Sequence, residues 1–256
     1  MAMTLADKAM IEKDPLRKGI IVGLIEHTYF WDRCPVESIG KLSQAILRWK
    51  DLPSVGYRRL NEGYQESTGT TEQIMESLAI VGGDIDIDIA ILRANDNVTD
   101  PMSLQTKMKL KALAYFMNDQ AINGDSAVDP KAMDGLKVRC AALPAAQTIS
   151  TPCDLSTTAN RKTNAPLMLE LFDEGFSKIA GEKPDLIIMN RSAKLAVKSA
   201  LRQSGLLDVT KDAFDRKLDT FDGVPFVNLG YKADQVTDII PNNDDGAGNT
   251  SIYFVK

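Results

Sequence analysis

Residues 54–80 constrain the chain more than any other stretch, because they read as a hairpin that cannot stand alone. In a strand over 55–61, Val55, Tyr57, Arg59 and Asn61 share one face, and Gly56, Arg58 and Leu60 the other. The partner run, 70–80, sets Glu72, Ile74, Glu76, Leu78 and Ile80 against Thr71, Gln73, Met75, Ser77 and Ala79. Neither run has a clean apolar face. The connection at 62–69 is polar and flanked by glycine, as turn chemistry requires. An isolated two-stranded ribbon is marginal in water. Such an arm either folds back on its own domain or is supported by another chain. An ordinary surface hairpin is the plainer alternative.

The rest of the chain supplies ordinary globular material. Its 256 residues suffice for one large or two small domains, with 44% hydrophobic and 25% charged residues. The formal net charge of −5 argues against a dedicated nucleic-acid binder, although it leaves room for a local basic surface. Cys34, Cys140 and Cys153 lie far apart without paired spacing, which fits free thiols in a reducing compartment. Residues 1–18 alternate charged and apolar side chains and do not read as a signal peptide. The longest apolar cluster, 19–25, is far too short to cross a membrane. No internal repeat or low-complexity tract is visible.

Periodicity places the other elements. Residues 3–13 read as a short amphipathic helix, and Asp14-Pro15 as the start of a second one through about His27. Residues 39–49 fit either a strand or a helix, and Pro53 breaks whatever they form. The run 84–91 alternates strictly, with Ile85, Ile87, Ile89 and Ile91 on one face, and reads as a half-buried strand. Asp84, Asp86 and Asp88 line its other face. They invite a metal-site reading, but carboxylates two apart on a strand point the same way without converging, so a solvated face is the better account.

Asp100-Pro101 opens the best helix, 100–121, with Met108, Leu110, Leu113, Tyr115, Phe116 and Met117 as a broad apolar surface. It would span about 30 Å and pack on the strand 84–92, with Phe116 in the core. Lys107, Lys109 and Lys111 occupy its middle and could meet a polyanion, though solvation is the plainer reading. Residues 123–162 are turn-rich. A helix at about 165–180, a strand at 184–190, a helix at 192–203 closed by Gly205, and strands at 224–229 and 251–255 suggest a small α/β layer.

Catalytic chemistry is hard to find. His27 is the sole histidine and sits in an apolar helix, so a serine or cysteine triad would have to run through it. Three scattered cysteines and one histidine give no zinc spacing. The glycines at 82–83, 124 and 246–248 match no phosphate-binding or dinucleotide fingerprint. The stretch 242–246 hints at a calcium loop but lacks the closing glutamate. The sequence therefore puts forward no catalytic, cofactor-binding or metal residue, and a projecting arm beside a long beam favours assembly.

Several segments in order resemble the major capsid protein of tailed bacteriophages, the Hong Kong 97 fold. Arg58-Arg59-Leu60-Asn61-Glu62-Gly63 is similar to the pattern on the first strand of that family's extended loop. Gly82-Gly83-Asp84-Ile85-Asp86-Ile87-Asp88 is similar to the return into the peripheral domain, and 100–121 to the spine helix. Asn123-Gly124-Asp125 followed by Asp134-Gly135-Leu136 resembles a paired turn motif. Residues 186–190 with the helix 192–203, then 221–226 and 251–254, resemble axial-domain elements. The pieces cover about 200 residues in the family order.

The resemblance implies an α+β chain with an N-terminal arm (1–50), an extended two-stranded loop (51–83), a peripheral domain with its spine helix (84–150) and an axial α/β domain (151–256). It implies a non-enzymatic shell subunit forming the hexamers and pentamers of an icosahedral phage head around DNA. Assembly would take place in the host cytoplasm, with a portal, a possible cementing protein and no membrane. No long N-terminal extension is present, so a separate scaffolding protein is implied. Family members continue beyond a strand like 251–255, so the chain is expected to be a piece of a longer protein. An encapsulin-like compartment, which has the same fold, and a soluble enzyme with a site near Asp84, Asp86 and Asp88 are the alternatives.

Overall fold

The computed structural model describes residues 4–14, 18–23, 29–90, 101–179, 181, 183–205, 208–211, 217–244 and 248–256. Helices and sheet are mixed, which makes the fold α+β. Two compact units emerge: Glu37–Val81, and Met1–Val36 joined to Gly82–Lys256.

In the larger unit, helix α1 (Leu5–Ile11) opens on a capping box, in which the Thr4 hydroxyl accepts from the Asp7 amide and Asp7 caps the Thr4 N–H in return. Residues 18–23 are helical, and Pro15 and His27 of the expected second helix lie outside the described residues. Helix α2 (Tyr29–Arg33) follows.

The long helix α3 (Pro101–Asn123) matches the expected beam, though the proposed cap, Asp100, lies outside the described residues. Helices α4 (Leu136–Ala141), α5 (Thr158–Thr163) and α6 (Ala165–Ser177) lead into the sheet region. There strand β3 (Leu186–Ile188), helix α7 (Arg191–Ser204) and strands β4 (Asp208–Lys211), β5 (Lys217–Phe221), β6 (Val224–Val227) and β7 (Tyr253–Val255) form an α/β layer. The strand order is β4-β5-β6-β3-β7, with β3 and β6 parallel and the other pairs antiparallel.

The sheet is covered on both faces, and β3 shows why. Its run Leu186-Ile187-Ile188 is continuously apolar, as a strand buried on both sides requires. Ile187 joins a cluster with Met168, Phe172 and Phe176 of α6, Val197, Ala200 and Leu201 of α7, and Phe226. Leu186 and Ile188 join a second cluster with Ala121 and Ile122 of α3, Phe30 and Tyr253. Phe172 is the hub of the first cluster, meeting Phe221, Phe226 and Phe254 edge-on at 5.5, 6.2 and 5.5 Å.

Local chemistry sets the element ends. Asn190 caps α7 through its side-chain oxygen, which accepts from the Ala193 amide at 2.6 Å. Gly205 closes α7 at φ 71. Asp222 (φ 48) and Gly223 (φ 77) make the two-residue turn between β5 and β6, where both central residues must be left-handed.

The C-terminal third of α3 anchors the helix. Trp31 Nε1 donates to Asn118 Oδ1 at 2.8 Å, and Asn118 Nδ2 donates to the Leu229 carbonyl at 3.3 Å. Asn123 Nδ2 donates to the Ile239 carbonyl at 2.9 Å. The turn beyond it brings the two motif glycines together, with the Gly135 amide donating to the Gly124 carbonyl at 2.8 Å. A Cβ on Gly124 would lie 2.3 Å from the Met133 carbonyl oxygen, and one on Gly135 would lie 2.5 Å from that of Ile122. Only glycine fits either position.

Two expectations are corrected here. The run 84–88 forms no strand, and residues 89–90 are helical, the remainder to Ile91 lying outside the described residues. Its alternation survives as burial, with Ile85 and Ile87 half-buried and the three aspartates exposed. Alternation selects a face, but a strand also needs a hydrogen-bonded neighbour, and 84–88 have none among the described residues. Phe116 is not core, since it is 44% exposed while Ala114 and Asn118 turn inward. The helix buries Ala114, Asn118, Ala121 and Ile122, and leaves Met102, Leu104, Met108 and Phe116 exposed.

The smaller unit is a ribbon. Strand β1 (Ser43–Asp51) pairs antiparallel with β2 (Thr70–Ser77), so the open reading of 39–49 resolves as a strand. The expected first strand at 55–61 is absent, and those residues belong to a long connection. A bulge between Trp49 and Asp51, followed by Pro53, which has no N–H to donate, ends the ladder. Arg59 to Glu62 form a turn instead: the Glu62 amide donates to the Arg59 carbonyl at 3.2 Å, with Asn61 at φ 67.

Candidate assembly surface

The ribbon lacks a core of its own. Every residue of β1 is exposed, and in β2 Ile74 and Glu76 are partly buried and none is fully buried. Residues opposite one another across an antiparallel pair share a face, so the register divides the ribbon cleanly. One face holds Gln44 opposite Glu76, Ile46 opposite Ile74, and Arg48 opposite Glu72. The other holds Ser43 opposite Ser77, Ala45 opposite Met75, Leu47 opposite Gln73, and Trp49 opposite Thr71. The first flanks an isoleucine couple with one pair of opposite charges, Arg48 and Glu72, and one polar pair, Gln44 and Glu76. The second is uncharged, with Leu47 69%, Trp49 77% and Met75 62% exposed. Large apolar side chains gathered on one exposed face mark an interaction surface.

Side-chain bonds organise the distal connection. Thr70 Oγ1 donates to Asp51 Oδ2 at 2.8 Å, and Ser67 Oγ donates to the Ser54 carbonyl at 3.0 Å, closing its base. Arg58 lies over the Tyr64 ring at 5.2 Å and donates to the Glu62 carbonyl at 3.3 Å. Val55, Tyr57 and Leu60 project fully into solvent.

Helix α3 presents a second open surface. Leu104, Met108, Ala112 and Phe116 recur every four residues and all are exposed, forming one stripe. Lys107 and Lys109 are exposed beside it, and Lys111 lies over the Tyr115 ring at 5.6 Å.

The residues weighed for chemistry do not form a catalytic or metal centre. Asp84, Asp86 and Asp88 point to solvent, and Asp88 caps the Ala90 amide at 2.8 Å. Among the described residues no group of three His, Cys, Asp or Glu is placed to hold a metal ion. His27 lies outside the described residues.

The three cysteines are free and half-buried. Burial pushes their thiols up, that of Cys34 to about 11, away from the thiolate form a nucleophile needs. In the stretch 242–246, Asp244 pairs with Lys137 at 2.6 Å and accepts from Ser251 Oγ at 2.6 Å, a lashed turn; Asp245 and Gly246 lie outside the described residues. No described helix is long and apolar enough to cross a membrane.

Sequence reasoning missed the apolar ribbon face, because it placed the first strand ten to twelve residues too late. The signal was present as the alternation Ala45, Leu47, Trp49. It also missed the tie between α7 and the sheet. Lys198 pairs with Asp219 at 2.6 Å, and Lys194 donates to the Phe226 carbonyl at 3.0 Å. Burial pulls the Lys194 ammonium down, against the opposing pull of Asp219.

Residues 41–153 match the family model described as Major capsid protein GP7. The match spans a little under half of the chain and includes both the ribbon and the long helix. No curated protein matches the chain. The family match supports a phage major capsid protein, a structural subunit and not an enzyme, and so sets aside the enzyme reading. A capsid protein assembles with copies of itself and resides in the virion.

Proposed function

We propose that the chain is the shell subunit of a tailed-phage head with the Hong Kong 97 fold, forming hexamers and pentamers that close into an icosahedron around DNA. The observation that carries this reading is the family match over residues 41–153, the segment that contains an exposed ribbon with no core of its own. In the domain terms implied by the resemblance, the ribbon unit is the extended loop, α3 the spine helix, and the sheet with α6 and α7 the axial domain. The ribbon lies on a neighbouring subunit, which supplies the apolar cover its own sequence lacks. Many modest contacts of this kind, repeated through a closed symmetric assembly, hold the shell. A separate scaffolding protein, a portal and a cementing protein complete the assembly. Head formation takes place in the host cytoplasm.

The shell is held without a covalent link through the ribbon's distal connection. An isopeptide bond needs an amine nucleophile, and a guanidinium stays protonated. Residues 51–106 contain no lysine, and the cations of the distal connection are Arg58 and Arg59. Lys50, at the end of β1, is the nearest amine. Boiled particles are therefore expected to run as a single band near the monomer mass on a denaturing gel. Electron microscopy of the expressed chain tests the main reading. Closed shells containing nuclease-protected DNA support it, shells filled with protein cargo indicate an encapsulin-like compartment, and a permanent monomer or dimer contradicts both.

A further inference from the structure

The two helices that cover one face of the sheet carry charge sorted by sign. Helix α6 holds Glu170, Asp173 and Glu174 and no cation, whereas α7 holds Arg191, Lys194, Lys198 and Arg202 and no acid. We propose that the acidic face of α6 docks on the basic face of α7 of a second copy of the chain, with Glu170 meeting Arg202. The inference rests on the capsid reading above and names a contact outside the ribbon.

The sorting works against the stability of the free subunit, which points to a reason outside it. Like charges four apart on a helix repel, and Glu170–Glu174, Lys194–Lys198 and Lys198–Arg202 are all so spaced. Burial pulls the Lys194 ammonium down and the Lys198 charge adds to it, against the opposing pull of Asp219. Arg191 is the first residue of α7, and Glu174 sits in the last turn of α6. A helix N-terminus favours anions and a C-terminus cations, so both placements also oppose the macrodipole. Local rules broken in this way mark positions that serve something other than the fold.

The subunit satisfies only part of this charge. Lys178 pairs with Glu174 at 2.8 Å and Asp219 with Lys198 at 2.6 Å. Glu170, Asp173 and Arg202 are exposed and have no side-chain partner among the described residues. No described ion pair joins the two helices.

The two faces also match in pattern. Leu167, Glu170 and Glu174 recur at helical spacing, as do Arg191, Leu195, Lys198 and Arg202. Each charged stripe therefore includes a leucine left in water, Leu167 37% and Leu195 65% exposed. Opposite charge around an apolar contact fixes orientation and register more than affinity. Because the faces differ, the contact runs head to tail and repeats from copy to copy. Two leucines bury far less than the roughly 800 Å² per partner of a stable interface. The contact thus operates together with others in a many-copy shell and makes no free dimer.

Charge reversal tests the pairing. Glu170→Arg, Arg202→Glu and a chain carrying both changes are compared with the unmodified chain for the protein concentration at which particles form. The salt is held at about 0.1 M, where charges are screened beyond about 10 Å. Both positions are exposed, so the free subunits should keep their circular dichroism and denaturation midpoints. Each single reversal should raise the concentration needed by about tenfold or more, and the double reversal should bring it back to within about threefold. Unchanged assembly by the single reversals, or a double reversal as impaired as the singles, would overturn the pairing and leave the capsid reading standing. An unmodified chain that never forms particles would sink both.

Discussion

Strands β3 and β1 make opposite bargains with water. β3 is three residues long and wholly buried, with α6 and α7 on one face and the end of α3 with Phe30 on the other. β1 is nine residues long, pairs with one neighbour and buries nothing. The sheet unit therefore carries its stability internally, in apolar area removed from water. The ribbon has backbone hydrogen bonds and little else, and a two-stranded ribbon is marginal on those alone. Length of strand says little about robustness here. What matters is where the second face of the strand finds its cover.

The sharpest way to break this contrast is a pair of truncations. Phe172→Ala removes the ring that meets three other phenylalanines, and should cost about 3–5 kcal/mol in chemical denaturation of the free subunit. Trp49→Ala should cost under about 0.5 kcal/mol in the same experiment, because the ring is exposed there. Comparable losses would mean that the ribbon has a core within the subunit.

Next in size are the close approaches at the end of α3. Gly135→Ala sets a methyl against the Ile122 carbonyl and should destabilise by about 1–3 kcal/mol, read as a lower denaturation midpoint with an unchanged slope. Asn118→Ala strips partners from Trp31 Nε1 and the Leu229 carbonyl and should cost about 1–3 kcal/mol, with a change in Trp31 fluorescence. A neutral outcome for both would detach the long helix from the sheet unit's cooperative fold. Phe116→Ala, by contrast, should stay under about 0.5 kcal/mol in the free subunit, since that ring faces outward.

The smallest effect is a pH dependence confined to a turn. The Ser126 amide and hydroxyl hold the Asp134 carboxyl below its ordinary value of 3.8. A depressed folded pKa contributes stability above the unfolded value and loses it as pH falls through the folded one. The Ser126 amide should therefore exchange faster only below about pH 4, and Asp134→Asn should flatten that response. Loosening of the same turn near neutral pH would contradict the assignment.

Much of the sheet unit was legible in the sequence because its signals are local and redundant. The apolar run 186–189, the stop Gly205 and the helix opened by Asp100-Pro101 each point to one answer. The glycines at 124 and 135 were visible as a motif, but their mutual contact depends on a fold that pattern reading does not supply. The ribbon was harder. Its strands lack a buried face, so periodicity could not choose between 43–51 and 55–61 as the partner of 70–77. The run 84–91 failed for the converse reason, having the alternation of a strand and no edge to pair with. Phe116 misled because a helix that is apolar around much of its surface carries no sequence signal for which part of it meets the core. The candidate surface was thus half-visible: the sequence shows an unsupported arm, and the register shows which side of it is apolar.

Hydrogen exchange at residues 43–77, compared between free subunits and assembled particles, tests the central claim most directly. Backbone amides of β1 and β2 should exchange quickly in the free subunit and become strongly protected in the particle, while those of β3 stay slow in both. Equal protection of the ribbon in the two states would contradict the account, because it would place the ribbon's cover within its own chain.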